Sequence, residues 1–366
     1  MYLALLLPAV LQCSAIGALP ADDQPAALKR ALEDLAAPTA IYVTGAGVAR
    51  PFGAAAGLAD PHTGRALTPN TPMRIASNTK TFTAATVLRL WEQGRIDLDA
   101  PVAPMLDPAL VALLRADGYA VDKITVRQLL SHSAGLYDHG ADSRYVEAAL
   151  ARPERVLERA DQVRMATVWG DPAGAPGERF LYSDTGYVLL GDLIERLTGE
   201  PLAAAVRREL RLGERGLGAT WWEIAEPPPG GAEPRARQFL GEVDATDIHA
   251  SFDLYGGGGL VMSPRDLAVF MADLFEGRVF DRPETLEVML ARGAHEGADQ
   301  YRIGMLVKEA EGREIYHHSG FWGTAAYYDR ETRRSVAVAT TRQQTFRTEA
   351  RPLGESVLGV ATPPCG

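Results

Sequence analysis

Ser77-Asn78-Thr79-Lys80 is the stretch on which the reading of this chain turns. Lysine is scarce: Lys29, Lys80, Lys123 and Lys308 are the only four among 37 basic residues, and the rest are arginines. A guanidinium cannot release its proton near neutrality, whereas an ammonium can. Three residues after a serine, where a helical pattern begins, such a lysine is placed to activate a serine nucleophile. With 11 serines and four lysines in 366 residues, about 0.12 such spacings arise by accident. An N-cap serine followed by a solvent-facing lysine would give the same letters. The tetrad therefore takes its meaning from its surroundings.

Downstream, Phe82, Ala85, Leu88 and Trp91 fall at helical spacing, and Gly94 stops the run, so a helix is expected over 77–93. Lys80 then lies one turn beyond Ser77 on the same side. Partial desolvation and the positive helix end predict a lowered ammonium pKa and a lysine able to act as base. Upstream, Ile41–Val48 and Phe52–Leu58 read as small-residue strands around an Ala49–Pro51 turn. Before them comes an amphipathic helix with Asp22 and Asp23 as N-caps, Pro25 in the first turn, and Leu28, Leu32 and Leu35 on one face.

From about 95 to 250 the chain is loop-rich and helical, with one clear helix from Gly186 to Leu197. Short strands return at Tyr301–Val307, Ile315–His318, Ala325–Tyr328 and Val336–Thr340, and a helix over 348–358 closes the pattern. The expected fold is α+β: one sheet assembled from 22–84 and 255–366, with 85–254 as a helical insertion.

A formal charge of −10 and a pI near 5.3, without any basic block, argue against a nucleic-acid groove. Residues 1–15 run apolar to Cys13-Ser14-Ala15. This reads as an export signal within a leader of 1–21, although no basic residue precedes the apolar run. It is too short for a membrane span. Periplasmic or secreted location is expected, and after cleavage only Cys365 would remain, so no disulfide framework is expected. No G-x-S-x-G, H-E-x-x-H or G-K-[ST] occurs, which sets aside an α/β-hydrolase elbow, that zinc site and a phosphate loop. Neither cofactor nor metal is expected.

Two later motifs complete the picture. Tyr182-Ser183-Asp184 precedes the helix near Gly186, and His318-Ser319-Gly320 ends a C-terminal strand. In order and spacing the three motifs resemble the penicillin-recognising serine hydrolases of the class C β-lactamase and DD-carboxypeptidase group, which carry S-x-x-K, Y-x-N and K-T-G or H-T-G. Leu129 to Leu136 (LLSHSAGL), Pro176-Gly177 and Gly256 to Leu267 support the resemblance, which spans roughly 40–360.

The resemblance implies that the sheet is antiparallel and flanked by N- and C-terminal helices, and that an acyl-enzyme forms on Ser77, with Lys80 and Tyr182 sharing the proton work. It implies an oxyanion hole from the N–H groups of Ser77 and Phe321. Ser319, Gly320 and His318 would orient the acyl donor, a protonated His318 favouring a substrate carboxylate. His132 and His317 read as structural, and Phe321 and Trp322 as pocket wall or core.

There are two departures from the pattern. Histidine at 318 replaces the lactamases' lysine, which speaks against an efficient β-lactamase. Asp184 replaces the usual asparagine; it should favour charged Lys80 and alter substrate choice. The function expected is a D-alanyl-D-alanine carboxypeptidase or related D-amino-acid peptidase or amidase. Alternatives are a carboxylesterase or weak β-lactamase, or a non-catalytic peptide binder. The implied partners are small peptides, amides, esters or β-lactams.

Overall fold

The computed structural model describes residues 16–360; the apolar opening stretch lies outside them. Six strands form one sheet: β1 (Thr39–Thr44), β2 (Phe52–Ala56), β6 (Leu306–Ala310), β7 (Arg313–Gly320), β8 (Thr324–Asp329) and β9 (Arg334–Thr340). Their order is β6-β7-β8-β9-β1-β2, antiparallel throughout. The join between chain ends is β1 on β9, with Thr39 opposite Thr340 and Ile41 opposite Val338.

Alternation along the strands builds two faces. Ile41, Val43, Ala325, Tyr327, Val336 and Val338 pack with Leu28 and Leu32 of α1 (Gln24–Glu33) and Leu353 and Val357 of α6 (Arg351–Val357). The opposite set, Ala326, Tyr328 and Ala337, joins Phe270, Met271 and Leu274 of α5 (Pro264–Phe275). The terminal helices thus share one face. At Ile16 the chain already packs: its N–H donates to Ser356 Oγ at 3.4 Å.

Helix α2 (Thr79–Glu92) is buried on every side from Thr79 to Leu90. The single apolar stripe expected from the sequence was too narrow a reading, because Thr79, Thr81, Thr83 and Thr86 are buried as well. Thr81 and Thr83 donate to the carbonyls of Gly304 and Gly256, which removes the cost of burying a hydroxyl. The boundary expected near residue 84 falls inside this helix. A small sheet of β3 (Met73–Arg74), β5 (Leu260–Met262) and β4 (Thr220–Trp222), in that order, seats the turn before α2.

Three expected elements shift. The strand expected to reach Val48 ends at Thr44, where Gly45 turns the chain with φ +111. The strand expected over 301–307 begins only at Leu306, because Arg302 N–H donates back to Met305 in a turn and Gly304 has φ +75. The helix expected from Gly186 is α4 (Asp184–Thr198), so Asp184 enters its first turn. No helix among the described residues is long and apolar enough to cross a membrane.

Candidate active site

Ser77 does not cap α2. It lies in a 3₁₀ turn, Ala76–Asn78, and Asn78 occupies the N-cap position. The turn is stitched to the sheet by one carbonyl: Ile75 O accepts from Asn78 Nδ2 at 2.9 Å and from Thr324 Oγ1 at 3.1 Å. Asn78 Nδ2 also reaches Thr324 Oγ1 at 2.9 Å. Gly320 completes the fit, since a Cβ there would stand 2.1 Å from Ile75 O. Only glycine lets the end of β7 come this close. Ser77 and Phe321, the two expected oxyanion-hole residues, both line the resulting cleft of about 340 Å³.

Lys80 is 0% exposed. Its ammonium donates to Ser77 Oγ at 2.8 Å and Gly257 O at 2.8 Å, and pairs with Asp184 Oδ1 at 2.5 Å. The Tyr182 and Tyr187 rings lie 5.2 and 5.6 Å from it. The lowered pKa expected for Lys80 is not found. Burial alone would lower it, but the charge of Asp184, with a contribution from Tyr182, outweighs burial and raises it. In the unliganded site Lys80 is therefore an ammonium that donates to the serine. Burial pushes the Tyr182 phenol up, against the opposing pull of Lys80 and its contact with Ser77.

The site holds more carboxylate than the motifs predicted. Asp138 Oδ1 accepts from Asp184 N at 2.9 Å and from Gly140 N at 3.1 Å. Gly140 leaves room for Asp184, whose Oδ2 would stand 2.0 Å from a Cβ there. Burial, reinforced by Asp184, pushes the Asp138 carboxyl up to about 7. Asp253 reaches about 7 mainly through burial, with Lys80 lowering it and Asp184 raising it. Asp184 itself, 29% exposed, is raised by burial but held below its ordinary value overall by Lys80. Asp138, Asp184 and Asp253 line the same cleft as Ser77 and Tyr182, and Arg347 stands on its wall.

His318 is 2% exposed, which corrects the expected imidazolium. Its Nδ1 lies 2.9 Å from Ser319 O, which can only accept, so Nδ1 carries the proton and Nε2 accepts from the Tyr301 hydroxyl at 3.2 Å. Burial, then the charge of Lys80, pushes its pKa down to about 3. A neutral His318 supplies no charge to a substrate carboxylate. His317 points to the other face and stacks on Tyr327. Phe321 is on the cleft wall, whereas Trp322 is buried, with Arg74 lying 5.3 Å from its ring. Ser319 and Gly320 line a second cavity of about 860 Å³, together with Lys308, Arg347 and Arg351.

Serine, lysine and tyrosine around one cleft at the end of β7 define a serine hydrolase of the β-lactamase type. The chain belongs to the Beta-lactamase family, whose profile matches residues 29–358. Among curated proteins it is similar to the esterase EstB of Burkholderia gladioli, 36% identical over 156 residues, which is 42% of this chain and 39% of that protein. The match therefore spans about two fifths of that relative's length. Among solved structures it resembles a D-stereospecific amidohydrolase from Streptomyces sp. (TM-score 0.75, 26% identity, 92% of this chain and 99% of that one). The D-amino acid amidase of Ochrobactrum anthropi SV3 shares the fold (TM-score 0.74, 22% identity, 91% and 98% covered).

Sequence reasoning missed Asp138, Asp253, Asn78 and Tyr301. Asp138 lies two residues past the quoted LLSHSAGL stretch and Asp253 three before Gly256, so the motifs bracketed both acids without naming them. Asn78 stood inside the opening tetrad as an unread letter.

Proposed function

We propose that this protein hydrolyses amides or short peptides of amino acids that carry a free amine, through an acyl-enzyme on Ser77. The observation that supports this most is the Lys80–Asp184 pair at 2.5 Å beneath a cleft that also presents Asp138 and Asp253. Such a wall favours an ammonium and disfavours a carboxylate beside it. A substrate ammonium sharing the Asp184 carboxylate withdraws part of the charge that holds Lys80 protonated. Substrate binding then brings the lysine toward the neutral form that a base requires.

Ser77 Oγ attacks the amide carbonyl, and its proton passes through Lys80 and Tyr182 to the leaving nitrogen as the C–N bond breaks. Water then cleaves the ester by the reverse proton path. The N–H groups of Ser77 and Phe321 are assigned to the oxyanion. The D configuration is supported by the likeness to the D-stereospecific amidohydrolase from Streptomyces sp.. An exported location accords with the apolar opening stretch; sequencing the N-terminus of protein from the secreted or periplasmic fraction tests it.

The test compares D-phenylalanine amide, L-phenylalanine amide, N-acetyl-D-phenylalanine amide and p-nitrophenyl acetate. N-acetylation is expected to lower kcat/KM by about 10-fold or more, and Asp184→Asn to cost about 10-fold on the free amine and little on the acetylated amide. Equal rates on the free and acetylated amides would sink the proposal. A second reading, a carboxylesterase, is favoured by the identity to EstB; it predicts that p-nitrophenyl acetate outruns every amide.

The pH dependence carries a sign. Asp138 and Asp253, with carboxyls near 7, ionise as pH rises from 6 to 7.5. A free-amine substrate, with an α-amino pKa of about 7.7, stays largely charged over most of that span. Its kcat/KM is expected to rise several-fold there, while that of p-nitrophenyl acetate changes less. A falling amide profile over the same range would count against the acidic wall.

A further inference from the structure

We infer that His132 is a positioning residue that fixes Tyr182 over Ser77 and Lys80, by clamping the backbone on both sides of that tyrosine and supporting its ring. The inference rests on the reading of Tyr182 as a proton-handling group. His132 is 2% exposed and follows α3 (Val126–Leu130) with a positive φ of +54. Histidine tolerates that region better than most residues. The conformation is held by the chain around it: His132 N–H donates to Leu129 O, and Leu130 O accepts from the Tyr187 hydroxyl at 2.8 Å.

From there three contacts converge on residues 181–183. Leu181 N–H donates to His132 O at 2.7 Å, and Ser183 N–H donates to His132 Nδ1 at 3.1 Å. Between these two bonds the imidazole lies against the Tyr182 ring, with centroids 4.1 Å apart at 33°. Farther along, Gly177 N–H donates to Ser133 O and Ala173 N–H to Gly135 O. The segment 132–135 is thus a template along which the tyrosine loop is laid. A residue that merely filled the core would not need a ring acceptor aimed at the N–H following the tyrosine.

That acceptor role requires a neutral ring, with the proton on Nε2, which finds no hydrogen-bond partner among the described residues. The groups facing it are Lys80 from α2, Tyr187 from α4, Tyr182, Tyr301 and His318 from β7. None is a carboxylate. Burial first and Lys80 second hold the ring neutral.

The test measures the rate at which a fluorophosphonate labels Ser77 in wild type, His132→Phe, His132→Asn, Tyr182→Phe and the His132→Phe/Tyr182→Phe double variant. Phenylalanine keeps a ring without the acceptor and is expected to slow labelling about 10- to 100-fold. Asparagine keeps an acceptor and tolerates the positive φ, and should recover to within about 5-fold of wild type. The double variant should label no more slowly than Tyr182→Phe alone, because the histidine acts through the tyrosine.

Full multiplication of the two single effects, or wild-type labelling by folded His132→Phe, overturns the inference. If His132→Phe does not fold, His132→Gly against His132→Asn makes the same comparison, and equal rates for those two overturn it. Labelling reports activation of Ser77 and is independent of amide preference, so failure of the substrate panel leaves this result intact. Wild-type labelling by Tyr182→Phe would instead remove the role of the tyrosine, and this inference with it.

Discussion

Ser77→Ala is expected to remove acyl transfer, lowering turnover of any amide or ester by at least about 10³-fold while leaving the fold in place. The asymmetry follows from the contacts. The Ser77 hydroxyl accepts one hydrogen bond from Lys80, and the ammonium keeps Gly257 O and Asp184 when the hydroxyl is lost. No charge is orphaned, so stability should change by about 1 kcal/mol or less. Substrate binding should survive, because the carboxylates that would hold the amine are untouched. Burst kinetics with p-nitrophenyl acetate, thermal unfolding and calorimetric titration with D-phenylalanine amide read the three quantities. Turnover within 10-fold of wild type would exclude Ser77 as the nucleophile, and reversible binding without turnover in the wild type would favour the non-catalytic binder.

Lys80→Met is expected to match that loss of activity and add a loss of stability. Methionine fills the volume but leaves Asp184 without its cation, in a site where burial and Asp138 both disfavour a carboxylate. Removing one partner of a fully buried pair costs about 3–5 kcal/mol. Because Asp184 is 29% exposed, solvent screening reduces this to about 2–4 kcal/mol at pH 7.

The sign with pH follows from each partner. Lys80, raised in the fold, contributes stability below its unfolded pKa that is lost as pH rises through the folded value. Asp184, lowered in the fold, contributes stability above its unfolded pKa that is lost as pH falls through the folded value. The gap between wild type and Lys80→Met is therefore largest near neutrality and narrows below about pH 4, near the ordinary aspartate pKa. Adding Asp184→Asn to Lys80→Met should return part of the stability and none of the activity. Denaturant unfolding at pH 7 and at about pH 2.5 tests this; a gap that does not change between them would show that the pair is not what stabilises the site.

The sheet strands were legible because period-two alternation is a local property, and Val336 to Thr340 or Ala325 to Tyr328 declare it within a few letters. Their pairing order was not, since nothing local tells β1 that its partner is β9. The contact between Ser77 and Lys80 was legible from one tetrad. The charge state of the lysine was only half so: helix end and burial argued for a lowered pKa, Asp184 for a raised one, and only the 2.5 Å contact decides between them. His318 misled for a related reason. Its letter permits charge, but its burial and its bond to Ser319 O come from strand register and from Tyr301, which reaches it out of a turn the sequence did not reveal.

The single carbonyl of Ile75, gripped by both Asn78 and Thr324, also fixes when in the protein's synthesis its chemistry can begin. Ser77 and Lys80 leave the ribosome early, yet Thr324 follows almost 250 residues later, and β9, which anchors β8 to β1, comes later still. Contacts so distant in sequence form late in folding. A nascent chain carrying Ser77 and Lys80 thus lacks the assembled cleft until Thr324 and β9 have emerged. Truncation before residue 324 should yield a product with Ser77, Lys80, Tyr182 and His318 all present and none of them assembled.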